Sequence, residues 1–270
     1  PLFSRNPCDI LGRIMAQGVI ISVVNQKGGV GKTTTSINLA AFLGINGHKT
    51  LLIDFDPQAN ATSGVGLAPE KIKKTVYDAL MRPADVSEAL YPSAFENLHV
   101  MPACADLSGA EIELVQMVSR ETILNQRIAA LRNYYDFILI DCPPSLGLLT
   151  INALVASSHT IVPVQCEYFA LEGLSNLLNT LHLIKEHYHP LLQIAGIVLT
   201  MHDKRTSFSR QVVENAKSFF NDLLFETIVP RNVRLSEAPS HGLPIALYNP
   251  LSKGSQAYLQ LTQEVIKRVR

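Results

Sequence analysis

A chain of 270 residues, 47% apolar and 17% charged, has ample material for a core, and it excludes a disordered tail, a collagen-like repeat and a disulfide miniprotein. Its 23 basic and 23 acidic side chains cancel, so no global field draws it toward nucleic acid or membrane, and any such binding needs a local patch. No apolar run reaches the roughly 18 residues that span a bilayer.

Residues 1–14 carry no initiating Met and no signal-peptide apolar region, and they precede Met15. They read as an extension, with residues 15–270 as a single domain. Apolar runs bounded by turn residues predict strands at 19–24, 50–55, 98–101, 137–140, 160–164, 194–199 and 225–229. Most are unbroken, as expected of strands buried on both faces of a parallel sheet. Helix-length segments at 33–46, 121–132, 170–187 and 206–222 lie between them, and 57–97 reads as a looser region of short helical pieces. Strand and helix alternation predicts an α/β fold, a doubly wound, mostly parallel sheet flanked by helices. Cys8, Cys104, Cys142 and Cys166 form no CxxC pair and read as buried, reduced thiols.

Charge is unevenly placed. Residues 1–199 hold 13 basic and 17 acidic side chains, while 200–270 hold 10 and 6. The basic C-terminal third is either a solvated face or the footprint of a polyanion site.

The first strand runs into Asn25-Gln26-Lys27-Gly28-Gly29-Val30-Gly31-Lys32-Thr33-Thr34-Thr35 and then a helical stretch. A strand, a glycine-rich turn and a helix start make a phosphate cradle, because glycines let backbone N–H groups close on the oxygens and the helix N-terminus adds positive potential. Lys32 is placed for the β- and γ-phosphates and the Thr33 hydroxyl for Mg²⁺. The usual P-loop has glycine where this chain has Gln26, and a second lysine, Lys27, follows it. Asp54 and Asp56 end the second strand, and Asp141 ends the 137–140 run, an apolar strand closing on Asp as in a Walker B element that serves the magnesium shell.

KGGVGKTT, DFDPQANAT, IDCPPSLG and PRNVRLSEAPSHG, in this order, resemble the ParA/Soj chromosome- and plasmid-partitioning ATPases over about residues 18–270. These are deviant-Walker P-loop ATPases, a group that includes MinD and the nitrogenase iron protein. The resemblance implies ATP and Mg²⁺ as cofactors, bound by Lys27, Gly28, Gly29, Val30, Gly31, Lys32, Thr33 and Thr34. It implies that Lys27 reaches across an ATP sandwich homodimer, that Asp56 positions the attacking water with support from Asp54, and that Thr33, Asp54 and Asp141 serve the metal. Adenine recognition falls by similarity to Pro230-Arg231-Asn232 and the neighbourhood of Met201. Non-specific duplex DNA binding falls to Arg205 and Arg234, with Lys204 and Lys253 beside them. Where some relatives carry a lysine after SHG, this chain has Leu243, one phosphate contact fewer.

The resemblance further implies a ParB-like centromere-binding partner that stimulates hydrolysis, and a cytoplasmic, nucleoid-associated protein with no membrane partner. The short stretch before the first strand leaves no room for a helix-turn-helix domain. Two rivals stay open: a MinD-like membrane-positioning ATPase, for which Leu259, Val265, Ile266 and Val269 in 256–270 would form the lipid face, and an iron–sulfur ATPase, for which Cys142 would need a suitably spaced partner.

Overall fold

The structure is a computed structural model that describes residues 17–82, 85–167 and 170–270. Expectations for residues 1–14 and for Cys8 lie outside these residues. In chain order the elements are β1 (Val19–Val23), α1 (Lys32–Ile45), β2 (Thr50–Asp54), α2 (Asn60–Gly64), α3 (Val76–Met81), β3 (Tyr91–Pro92), β4 (Leu98–Met101), α4 (Leu107–Val115), α5 (Ile123–Ile128), β5 (Phe137–Asp141), α6 (Leu148–Ala156), β6 (His159–Gln165), α7 (Ala170–His187), β7 (Gln193–Thr200), α8 (Ser207–Phe220), α9 (Val233–Glu237), α10 (Ile245–Tyr248) and α11 (Lys253–Val269).

Among the described residues the strands form one seven-stranded sheet in the order β3-β4-β2-β5-β1-β6-β7. All pairings are parallel except β3 with β4. This is the doubly wound sheet that the strand and helix alternation predicts. The unbroken apolar runs are explained by the two layers they serve. Ile20, Leu51, Ile53, Ile138 and Ile140 pack with α3 to α8 on one face, while Ile21, Leu52, Leu139 and Phe137 pack with α1 and α11 on the other. Alternate residues of one strand therefore enter opposite cores, and Ser22 and Thr50, polar positions on β1 and β2, are buried with their hydroxyls bonded to backbone carbonyls.

The strand order also positions the site. β5 enters between β1 and β2, and β6 turns to the other side of β1, which puts the loop after β1 at the point where the winding reverses, the usual ligand crevice of such sheets. Register does the rest, since Val23 pairs with Asp141 and Asp54 pairs with Asp141.

Four expectations change. Residues 225–229 do not form a strand: the Glu226 and Thr227 N–H groups both donate to the Glu264 carboxylate, at 2.8 and 3.0 Å, whereas successive N–H groups of a strand point to opposite edges. Only Phe225 N–H to Ile197 O and Val229 N–H to Leu199 O, both 2.9 Å, tie the segment to β7. The 121–132 helix is shorter, α5 giving way to a 3-10 turn over Ala129–Asn133. The loose region contributes β3, an antiparallel edge. Cys104 is half-buried, while Cys142 and Cys166 are buried free thiols. No helix among the described residues is long and apolar enough to cross a membrane.

Candidate nucleotide-binding site

The loop after β1 is shaped by its glycines and fastened by side chains on both sides. Gly29 and Gly31 have φ of +73° and +89°, left-handed values that a Cβ would strain. Asn25 anchors the loop's root, its Nδ2 donating to Pro163 O at 2.7 Å and its Oδ1 accepting the Lys27 N–H at 2.9 Å. Thr200 anchors the far side by donating to Val30 O at 2.8 Å. Gly31 is the N-cap of α1 with no side-chain hydrogen bond, so the first-turn N–H groups face the loop and can receive phosphate oxygens.

Lys32 is 6% exposed, and its Nζ donates to Lys27 O at 3.1 Å, back into the loop. Burial lowers its pKa, against the opposing pull of Asp141 and Asp56. Asp141 is fully buried at the end of β5. Its Oδ1 accepts the Ser36 hydroxyl at 2.8 Å, Thr33 sits near enough to the same carboxylate to pull its pKa down, and Oδ2 is buried without a hydrogen-bond partner. An orphaned carboxylate oxygen beside a threonine hydroxyl suits a hard, oxygen-seeking cation, so the residues fit magnesium.

Asp54 is fully buried as well, but its oxygens are engaged. Oδ2 accepts the Thr62 N–H and hydroxyl, both at 2.7 Å, and Oδ1 accepts the Asp56 N–H at 3.3 Å. Asp56 is 7% exposed and closes a tight turn by accepting the Gln58 N–H at 3.0 Å. Ala59, three residues on, has φ of +52°. The Lys27 side chain turns back onto its own chain, Nζ pairing with Glu167 Oε2 at 2.8 Å.

Burial raises the pKa of both Asp54 and Asp141; the Asp54 charge pushes Asp141 higher still, and the Asp56 charge adds to both. The folded chain thus holds more protons than the unfolded chain from about pH 4 upward, and stability falls as pH climbs through the raised values. With metal and nucleotide absent, the Tm of Asp141→Asn should fall less than the parent's between about pH 4.5 and neutrality. Parallel Tm curves would mean that the paired carboxylates carry no such strain.

Pro230, Asn232 and Met201, expected from similarity to lie near adenine, come together with Gly31 and Thr34 around a cleft of about 400 Å³. Met201 has φ of +54°, and the Asn232 Oδ1 caps α9 by accepting the Arg234 N–H at 2.9 Å.

The four basic candidates sit on a loop (Lys204, Arg205), on α9 (Arg234) and at the start of α11 (Lys253), segments that are fastened together. His202 bridges to Pro230, the Arg231 N–H donates to His202 O at 3.0 Å, and Leu235 packs on Gly254, next to Lys253. Arg205, Arg234, Lys204 and Lys253 are all exposed, yet both arginines are paired. Arg205 grips Asp203 through Nε and Nη2 at 3.0 and 2.7 Å, which holds the Asp203 carboxyl well below the usual range. Arg234 Nη1 lies 2.7 Å from Glu237 Oε2, which also accepts the Tyr248 hydroxyl. Leu243 packs against the core. On α11, Tyr258, Leu261 and Val265 are buried and Ile266 and Val269 pack on the same core. Cys142 is fully buried beneath the Walker B turn.

Sequence reasoning missed Asn25, Ser36, Thr62, Glu167 and Thr200. Ser36 alone had a local signal, being three residues past Thr33 on the same helix face. The others meet their partners through the fold.

By fold and site the chain is a P-loop ATPase. Residues 18–194 match the AAA domain family. The chain is 55% identical over 248 residues to the sporulation initiation inhibitor protein Soj of Bacillus subtilis, covering 92% of this chain and 98% of that one. It is 52% identical over 251 residues to the chromosome partitioning protein ParA of Myxococcus xanthus, covering 93% and 89%. The solved structure of cobyrinic acid a,c-diamide synthase from Mycobacterium smegmatis with bound ATP analog and magnesium superposes with a TM-score of 0.81 at 34% identity, covering 93% and 95%. The chain belongs to the Soj/ParA family of chromosome-partitioning proteins.

Proposed function

We propose that the chain hydrolyses ATP with Mg²⁺ to cycle between a free monomer and a homodimer that holds duplex DNA without sequence preference. The observation that supports this reading is the placement of Lys27: the residue is fixed through its backbone at the loop's mouth with a half-exposed ammonium, while the buried Lys32, whose Nζ lies on the Lys27 carbonyl, is the lysine assigned to the phosphates of its own subunit.

Gly28 to Thr34 bind the phosphates through loop amides, Lys32 and the start of α1. Thr33 and Asp141 are the residues that would hold magnesium, which supplies charge neutralisation at the phosphates when bound. Asp56 orients water for attack, and Asp54 acts behind it by fixing the Asp56 N–H and the Thr62 turn rather than by touching the metal. Pro230, Asn232 and Met201 line the base cleft. Lys27 enters the partner's phosphate site in the manner of an arginine finger.

DNA phosphates would meet Arg205, Arg234, Lys204 and Lys253, an edge that a dimer doubles. A ParB-like partner that speeds hydrolysis would release the protein locally from the nucleoid. Of the four lipid-face candidates on α11, Val265, Ile266 and Val269 pack into the core and Leu259 alone is exposed, which weighs against the membrane-positioning rival.

The test is a mobility-shift titration of random-sequence duplex with ATP, ADP and no nucleotide. Binding should require ATP, and the slope of log affinity against log salt should drop by roughly 0.9 for each contact removed in Arg205→Ala/Arg234→Ala. Asp203→Ala, by freeing Arg205 from its carboxylate, should tighten binding a few-fold at low salt. Equal affinity in all three nucleotide states, or full binding by the double variant, would overturn the DNA surface.

A further inference from the structure

The contact between Lys27 and Glu167 joins residues 140 positions apart. Glu167 follows β6, and both of its oxygens are in use: Oε1 accepts the Gln165 Nε2 at 2.6 Å, and Oε2 receives the Lys27 ammonium at 2.8 Å. The Gln165 bond aims the carboxylate. The backbone of Lys27 is fixed too, with its N–H on Asn25 and its carbonyl on Lys32. Only the Lys27 side chain is free to move, and it is docked on its own subunit.

We infer that Glu167 is a positioning residue for Lys27, an intramolecular latch that keeps the ammonium out of a neighbouring subunit's phosphate site until nucleotide competes for it. This rests on the sandwich-dimer reading above. Two lysine contacts close the loop, Lys32 on Lys27 O and Lys27 on Glu167. A polyphosphate entering the loop draws Lys32 away from the Lys27 carbonyl and offers the ammonium a more highly charged acceptor than one carboxylate. In the dimer, Lys27 exchanges Glu167 for a phosphate oxygen of the partner. The ion pair is half-exposed, 43% and 50% at the two side chains, so it is weak enough for that exchange, and salt should loosen it. Its effect is a reduced fraction of subunits ready to associate, which scales the apparent dimer affinity by the square of that fraction, since both subunits must release the latch.

Glu167→Gln keeps the shape and removes the charge. ATP-dependent dimerisation, followed by analytical ultracentrifugation, should tighten two- to five-fold, and the protein concentration giving half-maximal ATPase should fall by the same factor. Turnover at saturating protein and ATP affinity at protein concentrations below dimerisation should stay unchanged. That split separates a latch from a merely structural contact, which would move stability or turnover. Added salt should erase the difference between variant and parent. In a Lys27→Ala background Glu167→Gln should change nothing.

A dimer weakened by Glu167→Gln, or an effect that persists without Lys27, would overturn the latch and place Glu167 in the assembled interface. If Lys27→Ala loses dimerisation and hydrolysis while Glu167→Gln behaves as parent, the latch fails and the sandwich reading stands. If Lys27→Ala dimerises and hydrolyses as parent does, the sandwich reading fails and takes the latch with it.

Discussion

Lys32→Ala should lose ATP affinity by at least about a hundredfold, to beyond the reach of titration calorimetry. Charge-assisted hydrogen bonds contribute roughly 1.5–3 kcal/mol each, and a lysine between β- and γ-phosphates makes more than one, so two decades is a conservative expectation. The site sharpens the effect. Lys32 is already desolvated, and Asp141 and Asp56 act on it from nearby. Without the ammonium those carboxylates face an incoming polyanion, the loop's other lysine, Lys27, is held by Glu167, and backbone amides alone cannot reverse the sign. Thermal melting of the variant provides the control, since Lys32 also closes the loop through Lys27 O. Parental ATP affinity in a folded variant would move the phosphate site elsewhere and remove the basis of the proposed function.

The second large effect is on turnover. Asp56→Ala should bind ATP as the parent does and hydrolyse it about 10²- to 10³-fold more slowly, which is the range typical for loss of a group that handles a proton or orients a nucleophile. A carboxylate aimed at water acts in the transition state and adds little to the ground state, so the ATP-bound dimer should accumulate and persist on sizing chromatography. Asp56 has a structural task too, accepting the Gln58 N–H, and Asp56→Asn separates the two. Asparagine can close the same turn through its carbonyl oxygen but lacks the charge, so it should be as slow as alanine. An asparagine variant with parental turnover would make Asp56 a turn residue only.

How much of this could be read in advance depends on distance along the chain. The phosphate loop was legible because strand, turn, lysine, threonine and helix are consecutive, and each residue type has a local reason to be there. Asp141 was legible as a carboxylate closing an apolar strand. Its pairing with Asp54 was not, because that register exists only when β5 inserts between β1 and β2, and nothing local encodes strand order. Thr62 could be quoted within a motif without a role, since its task depends on the chain turning back onto Asp54. The run at 225–229 has the composition of a strand, and Glu264, 38 residues later, decides against it. The acidic partners of the arginines lie only two and three residues away, yet charge counting treats them as separate side chains.

The capture of the Glu226 and Thr227 amides by Glu264 bears on how copies of the chain can meet. A sheet whose outermost strand offers a free ladder is a template for other chains, and runaway stacking follows. Here one margin ends in β3, two residues long with a proline in it. The other is covered by the 224–229 segment, whose amides at Glu226 and Thr227 are stoppered by Glu264. Among the described residues neither margin offers an open ladder for strand-by-strand polymerisation. A molecule whose proposed work is reversible pairing at high local concentration is thereby steered toward contacts through loops, which nucleotide can make and break, and away from fibrillar growth, which it could not undo.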